Sequence, residues 1–178
     1  NLESSKSDAQ IYSALSITKE QIEAYFSHLI TQERHVKFNA DQERIEAREL
    51  TKLGSIILDE RNLENVQDEE LRSALLDAVK ERGLCALTWS RESGALRQRV
   101  AFLHHHREAN TALAKLIPSL PYLSEQWLLE NLELWLEPHL YGVKTFKACQ
   151  KLDTKAMILS LVSYEEQQKI KALAPTHI

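Results

Sequence analysis

Helix caps and helix breakers recur from Asp68 to the end of this chain and divide it into a series of helices, the last of them short. Asp68, Glu69 and Glu70 put negative charge where a helix N-terminus favours it. Leu71, Ala74, Leu75, Ala78 and Val79 then form one apolar stripe, and Gly83 stands where a left-handed cap belongs. A second helix is expected from Ser90 through Leu96, Val100 and Leu103 toward Leu116 or Ile117, bounded by Pro118 and Pro121. Ser124 caps a third helix, which carries Leu128, Leu132, Trp135 and Leu136 and stops before Pro138. Three more follow: 146–152, 154–162 behind the cap Asp153, and 164–173 behind the capping box of Ser163 and Glu166. Helices this short are stable only with their stripes packed together, so compact helix hairpins are expected.

The first third carries a different period. Thr18 and Gln21 form a capping box, and Ile22, Tyr25, Phe26, Leu29 and Ile30 follow at helical spacing. Residues 10–15 suit a strand. Val36 and Phe38 alternate with polar residues, Asn39 to Glu43 supplies turn chemistry, and Ile45 and Ala47 resume the period of two. A further run, 55–58, suits a more fully buried strand, with Gly54 before it as a candidate bulge. Three such strands cannot close a barrel, so they read as part of a larger sheet. The expected fold is α+β, mainly α: a partial β-rich segment with one helix over 1–66, then a helical domain over 67–178.

Composition narrows the class. Of 178 residues 43% are apolar and 27% charged, as in an ordinary globular protein. No apolar run reaches the roughly 18 residues of a membrane span, and no export signal is visible. Two cysteines without a disulfide framework suit a reducing compartment, so the cytoplasm is the expected location. The net charge of -4 gives no global pull on nucleic acid, so any RNA contact must come from a local patch. The chain opens on Asn1 and its one methionine is Met157; it reads as a piece of a longer protein.

The chemistry-bearing motifs of enzymes are missing. The four glycines are too scattered to build a phosphate loop, and there is no nucleophile elbow, no H-E-x-x-H and no paired CxxC. His104, His105 and His106 invite a metal, but successive helical side chains point about 100° apart, so a solvated or partly packed cluster is the favoured reading. Cys85 and Cys149 sit among apolar neighbours and read as small core residues. Trp135 shares a face with Leu128 and Leu132 and reads as core, whereas Tyr141 and Phe146 flank the Gly142 turn and stay open between packing and base stacking.

Arg91, Arg97, Arg99 and Arg107 make the second helix basic, either as a solvated face or as a phosphate contact. Projected on an ideal helix, Arg99 falls between Phe102 and Leu103 and is expected to be covered and paired, while Arg97 lies toward the rim. The candidate nucleic-acid contacts are therefore Arg91, Arg97 and Arg107, with Lys144 and Lys147 beyond the Gly142 turn. Arg99, Trp135, Pro138, Gly142 and Pro175 are expected to be structural. No catalytic, cofactor-binding or metal-binding residue is expected.

Five stretches carry a resemblance. Residues 135–143, WLEPHLYGV, are similar to W-L-x-P-x-L-x-G-V, and 173–177, LAPTH, follow about thirty residues later. Upstream, 53–61 (LGSIILDER) resemble L-G-x-L-x-L-x-E-R, 82–90 resemble R-x-G-L followed by L-P-W-S with Thr88 for proline, and 96–103 (LRQRVAFL) resemble L-R-x-R-V-A-F-L. These are patterns of the C-terminal region of HrpB-type bacterial DEAH-box helicases, in the same order and spacing. The resemblance implies a parent protein with two RecA-like motor domains that bind ATP and magnesium, and an accessory region to which none of those residues belong. The function it implies is a non-catalytic module, the end of an OB-like sheet up to about Val66 joined to a helical domain, that helps hold or gate single-stranded RNA beside the motor. The competing expectation is a structural domain that braces the motor or docks a protein partner without touching RNA. Oligomeric state is not legible.

Overall fold

The computed structural model describes residues 15–174. The strand expected at residues 10–15 and the expected structural role of Pro175 thus lie, apart from Leu15, outside the described residues. The observed fold is α+β and mostly helical. A short helix, α1 (Lys19–Phe26), leads into strands β1 (Ile30–Asn39), β2 (Arg44–Leu53) and β3 (Ile56–Asn62), in the order β1-β2-β3. Among the described residues eight α-helices follow: α2 (Asp68–Arg82), α3 (Arg91–Ala109), α4 (Thr111–Leu116), α5 (Glu125–Glu130), α6 (Leu132–Trp135), α7 (Phe146–Cys149), α8 (Thr154–Ser160) and α9 (Tyr164–Leu173).

The described residues divide into two compact units, 15–34 with 48–62, and 35–47 with 63–174. In the first, the expected capping box forms: the Gln21 backbone N–H donates to Thr18 Oγ1 and the Thr18 N–H to Gln21 Oε1. The helix stops at Phe26, however, because Ser27–Leu29 tightens into a 3-10 turn and Ile30 already starts β1. The expected five-residue apolar face is therefore split between two elements, and no residue of α1 is buried. β2 and β3 run antiparallel with Glu49 opposite Arg61, and the ion pairs Arg48–Glu60 and Glu49–Arg61 lace the two strands. Gly54 turns the chain with φ +60°, while the register slips between Thr51 and Lys52 rather than at Gly54. Ile56 and Ile57 are exposed, so this strand is not the buried one its apolar run suggests.

The second unit holds the core. Val79, Val100, Leu128, Leu132, Leu136, Leu140, Phe146 and Ile158 are among the residues sealed there, around Trp135. Trp135 is fully buried and its indole Nε1 donates to the Leu128 carbonyl at 2.9 Å, satisfying the one polar atom that burial would otherwise strand. The Gly142 backbone has φ +74°, a conformation that ends the reversal after Pro138 and that a side chain would strain. The tip of the β1-β2 hairpin joins this unit: Phe38 lies 4.5 Å from Phe146 between ring centroids, and Arg82 sits over both rings.

The caps at Ser90, Ser124, Asp153 and Ser163 all form, each side-chain oxygen accepting a backbone N–H. The second helix is shorter than its apolar spacing suggests. Asn110 interrupts it, its Oδ1 taking the N–H groups of Ala112 and Leu113 to start α4 anew.

Candidate protein and nucleic-acid contact sites

The basic residues singled out on α3 do not act as one surface. Arg91 is exposed at the first position of the helix and Arg107 is half-buried in its last turn. Arg97 is engaged inside the fold: its Nε donates to the Leu123 carbonyl at 3.0 Å and its guanidinium covers the Trp89 ring at 4.7 Å. Burial lowers its pKa and the Glu125 carboxylate opposes that shift. Arg99 differs from expectation in the opposite sense. It is half-buried, but its Nε is enclosed without a hydrogen-bonding partner among the described residues. Arg97, expected toward the rim, is thus the arginine that the fold engages, and Arg99, expected to be paired, has no partner for its Nε among the described residues.

The reason lies in which residues α3 buries. Ser93 and His104 are buried along with Val100 and Leu103. Ser93, Arg97, Val100 and His104 follow one another at i, i+4, i+7 and i+11, a single helical stripe. Counting only apolar side chains shifted the expected arc away from Arg97 and toward Arg99. The buried polar members have partners: Ser93 Oγ accepts from the Thr154 hydroxyl at 3.1 Å, and His104 Nε2 donates to the Pro121 carbonyl at 3.1 Å while its ring stacks on Tyr122.

The histidine run is dispersed as expected, His104 facing inward and His105 and His106 outward. Among the described residues no group of three or more His, Cys, Asp or Glu is placed to hold a metal ion. Cys149 is buried, and burial pushes its thiol up to about 11. Cys85 is a correction: it is exposed, with its Sγ donating to the Arg82 carbonyl at 3.1 Å, because it falls in the 3-10 turn after Gly83 rather than on a packed helix.

Beyond Pro138 the two open aromatics separate. Phe146 is core, whereas Tyr141 is 77% exposed, and Lys144 and Lys147 after it are also exposed. In the first unit Tyr25 (73%), Leu29, Ile56 and Ile57 are exposed as well. A groove of about 460 Å³ runs between α3, α8 and α9, lined by Glu92, Ala95, Leu96, Arg99, Lys155, Leu159, Gln167, Ile170 and Lys171. No local pattern marks it, since its members come from three helices and their periodicity marks only each helix's own face.

No family model matches the chain. It is 26% identical over 176 residues to the ATP-dependent RNA helicase HrpB of Escherichia coli (strain K12), a match that covers 98% of this chain and 20% of that protein. The likeness is to HrpB-type helicases. A crystal structure of the Escherichia coli DEAH/RHA helicase HrpB overlays with a TM-score of 0.54 at 27% identity, covering 80% of this chain and 17% of that one. A second crystal structure, of the same organism's DExH-box NTPase HrpB, gives 0.54 at 26% identity, covering 88% of this chain and 18% of that one. The chain therefore spans about one fifth of the length of the HrpB protein it matches, consistent with the C-terminal region named by the motifs. Among the described residues no helix is long and apolar enough to cross a membrane.

Proposed function

We propose that this chain is a non-catalytic accessory module of a cytoplasmic ATP-dependent helicase and that it works by docking protein, bracing the motor domains. ATP and magnesium belong, on this reading, to motor domains outside the chain. The observation that carries it is the exposure of large apolar side chains in the first unit: Tyr25, Leu29, Ile56 and Ile57 are each more than half exposed. Large apolar side chains left in water on so small a unit suit contact with another body. The three strands are read here as the end of an OB-like fold, which would need further strands to close. The disposition of α3 supports the same choice, since Arg97 is taken up by Trp89 and Leu123.

The test is binding in trans to a purified HrpB-type helicase body from which the matching stretch has been deleted. Expected is a complex that persists at high salt and weakens at least tenfold in a Tyr25→Ser, Leu29→Ser double variant, roughly the loss of one apolar anchor. Equal binding by the variant removes this surface from the reading.

RNA contact is the second reading, and Tyr141 with Lys144 and Lys147 favours it: an exposed ring lies close in sequence to two exposed cations. Oligouridylate affinity measured across a salt series checks it. A falling log K against log salt, flattened in Lys144→Gln and Lys147→Gln, supports RNA contact there.

A further inference from the structure

We propose that the groove between α3, α8 and α9 is a docking site for an acidic protein segment, holding one aspartate or glutamate side chain flanked by an apolar residue. It is separate from the exposed apolar residues of the first unit and does not depend on them.

The inference starts from Arg99. A guanidinium stays charged at any pH a protein meets, so covering it without an acceptor leaves a standing demand for an anion. Arg99 lines the groove and, half-buried, forms no hydrogen bond or ion pair among the described residues; its Nε is closed off, so the outer end of the guanidinium is the part an anion meets. Across the groove, Lys155 is already matched by Glu92, which holds its ammonium in the charged form through a hydrogen bond and direct attraction. Lys171 on α9 adds a second cation to the lining and forms no ion pair among the described residues, Glu92 being engaged with Lys155. The groove thus presents two unmatched positive charges beside one matched pair.

The remaining lining decides what kind of anion fits. Ala95, Leu96, Leu159 and Ile170 form apolar walls, which suit an apolar side chain next to the charge. No aromatic ring lines the groove, so a nucleotide base finds nothing to stack on, and the Glu92 carboxylate repels the continuous charge of a phosphate backbone. The Gln167 amide is committed, its Nε2 donating to the Leu159 and Val162 carbonyls, and so it fixes the α8–α9 turn that shapes one wall. A single carboxylate with an apolar neighbour satisfies every part of this lining.

The experiment uses the whole chain and a fluorescein-labelled, amide-capped peptide with a central Leu-Glu-Leu. A Leu-Gln-Leu peptide and labelled oligouridylate are the comparisons. Expected is binding of the glutamate peptide about tenfold tighter than the glutamine peptide, falling to less than about twofold in Arg99→Gln. Lys171→Gln, an exposed position that cannot threaten the fold, should reduce the preference in the same direction. The arginine Nε–H resonance of Arg99 should shift on titration with the glutamate peptide. Equal affinity for the two peptides, an unchanged preference in both variants, no binding of either peptide, or binding of oligouridylate competing at this groove would each overturn the proposal. None of these results bears on Tyr25 or Leu29, so this site and the first unit's surface stand or fall separately.

Discussion

The guanidinium of Arg97 lies 4.7 Å from the centre of the Trp89 ring and donates from Nε to the Leu123 carbonyl at 3.0 Å. Trp89 directly precedes Ser90, the cap of α3, and Leu123 directly precedes Ser124, the cap of α5. One side chain therefore ties together the entries to two helices. Arg97→Ala should cost about 2 kcal/mol, from a charged hydrogen bond and a partly desolvated ring contact. Arg97→Lys should recover less than half of it, because an ammonium lacks the planar face that covers the ring. Urea unfolding measures both. A loss below about 0.5 kcal/mol for the alanine variant would return Arg97 to the surface.

Trp135 supplies the largest sealed side chain of the core. Trp135→Ala should cost about 3–5 kcal/mol, the range for removing a buried aromatic side chain. Trp135→Phe should cost less but still about 1–3 kcal/mol, since the Leu128 carbonyl then loses its indole donor. Thermal and chemical unfolding of the two variants separates the packing part from the polar part.

Arg82 links α2 to the β1-β2 hairpin. Its Nη1 donates to Glu43 at 2.7 Å and its Nη2 to the Ala40 carbonyl at 2.6 Å, above the Phe38 and Phe146 rings. Glu43 itself has φ +50°, an uncommon conformation for a residue with a side chain. Arg82→Ala should leave the helices folded and release the hairpin tip. Hydrogen exchange should show faster exchange over 39–44 with α3 unchanged; equal protection would mean the ring contact of Phe38 suffices alone.

Glu166 gives the fold a pH dependence on the acid side. The Ser119 hydroxyl, donating at 2.6 Å, lowers its pKa; burial opposes this, and the Ser163 N–H and hydroxyl add to the lowering. A carboxylate with a folded-state pKa below its unfolded one contributes stability above the unfolded value, near 4.3 for glutamate, and loses it as pH falls through the folded one. The gap in stability between the natural chain and Glu166→Gln should be constant at neutral pH and narrow below about pH 4. A gap independent of pH would show that the serine bonds do not depend on the charge.

Local signals were legible where the chemistry is local. The caps at Ser124, Asp153 and Ser163 each need only a side chain and an N–H a few residues on, and all were readable. Asn110 carried the same signal but lay within an unbroken apolar spacing, so the break between α3 and α4 went unread. The strands proved longer than their alternation, because β1 and β2 are extended by pairing with each other rather than by their own pattern. The contacts of Arg97 and the groove around Arg99 depend on residues far along the chain, which no periodicity within α3 can supply.

Arg99 gives the sharpest test of that distinction. Its place on an ideal helix implies a covered, paired guanidinium whose removal leaves a buried partner charge stranded, a loss of about 3–5 kcal/mol. The structure removes the second half of that premise. Arg99 is half-buried, yet its Nε is enclosed with no acceptor among the described residues, so deleting the side chain strands nothing. The covered nitrogen is itself the unsatisfied group, and its desolvation is a cost that the native side chain already bears. The long aliphatic stem still covers apolar surface beside Leu96 and Leu159 in the groove lining, and methionine keeps that stem while discarding the charge. Arg99→Met should therefore leave stability unchanged or raise it by up to about 1 kcal/mol, whereas Arg99→Ala should lose about 1 kcal/mol through packing alone. Urea midpoints of the two variants decide the matter. A methionine variant destabilised by more than about 2 kcal/mol would reveal a partner for the guanidinium and restore the paired arginine that the helical projection implies.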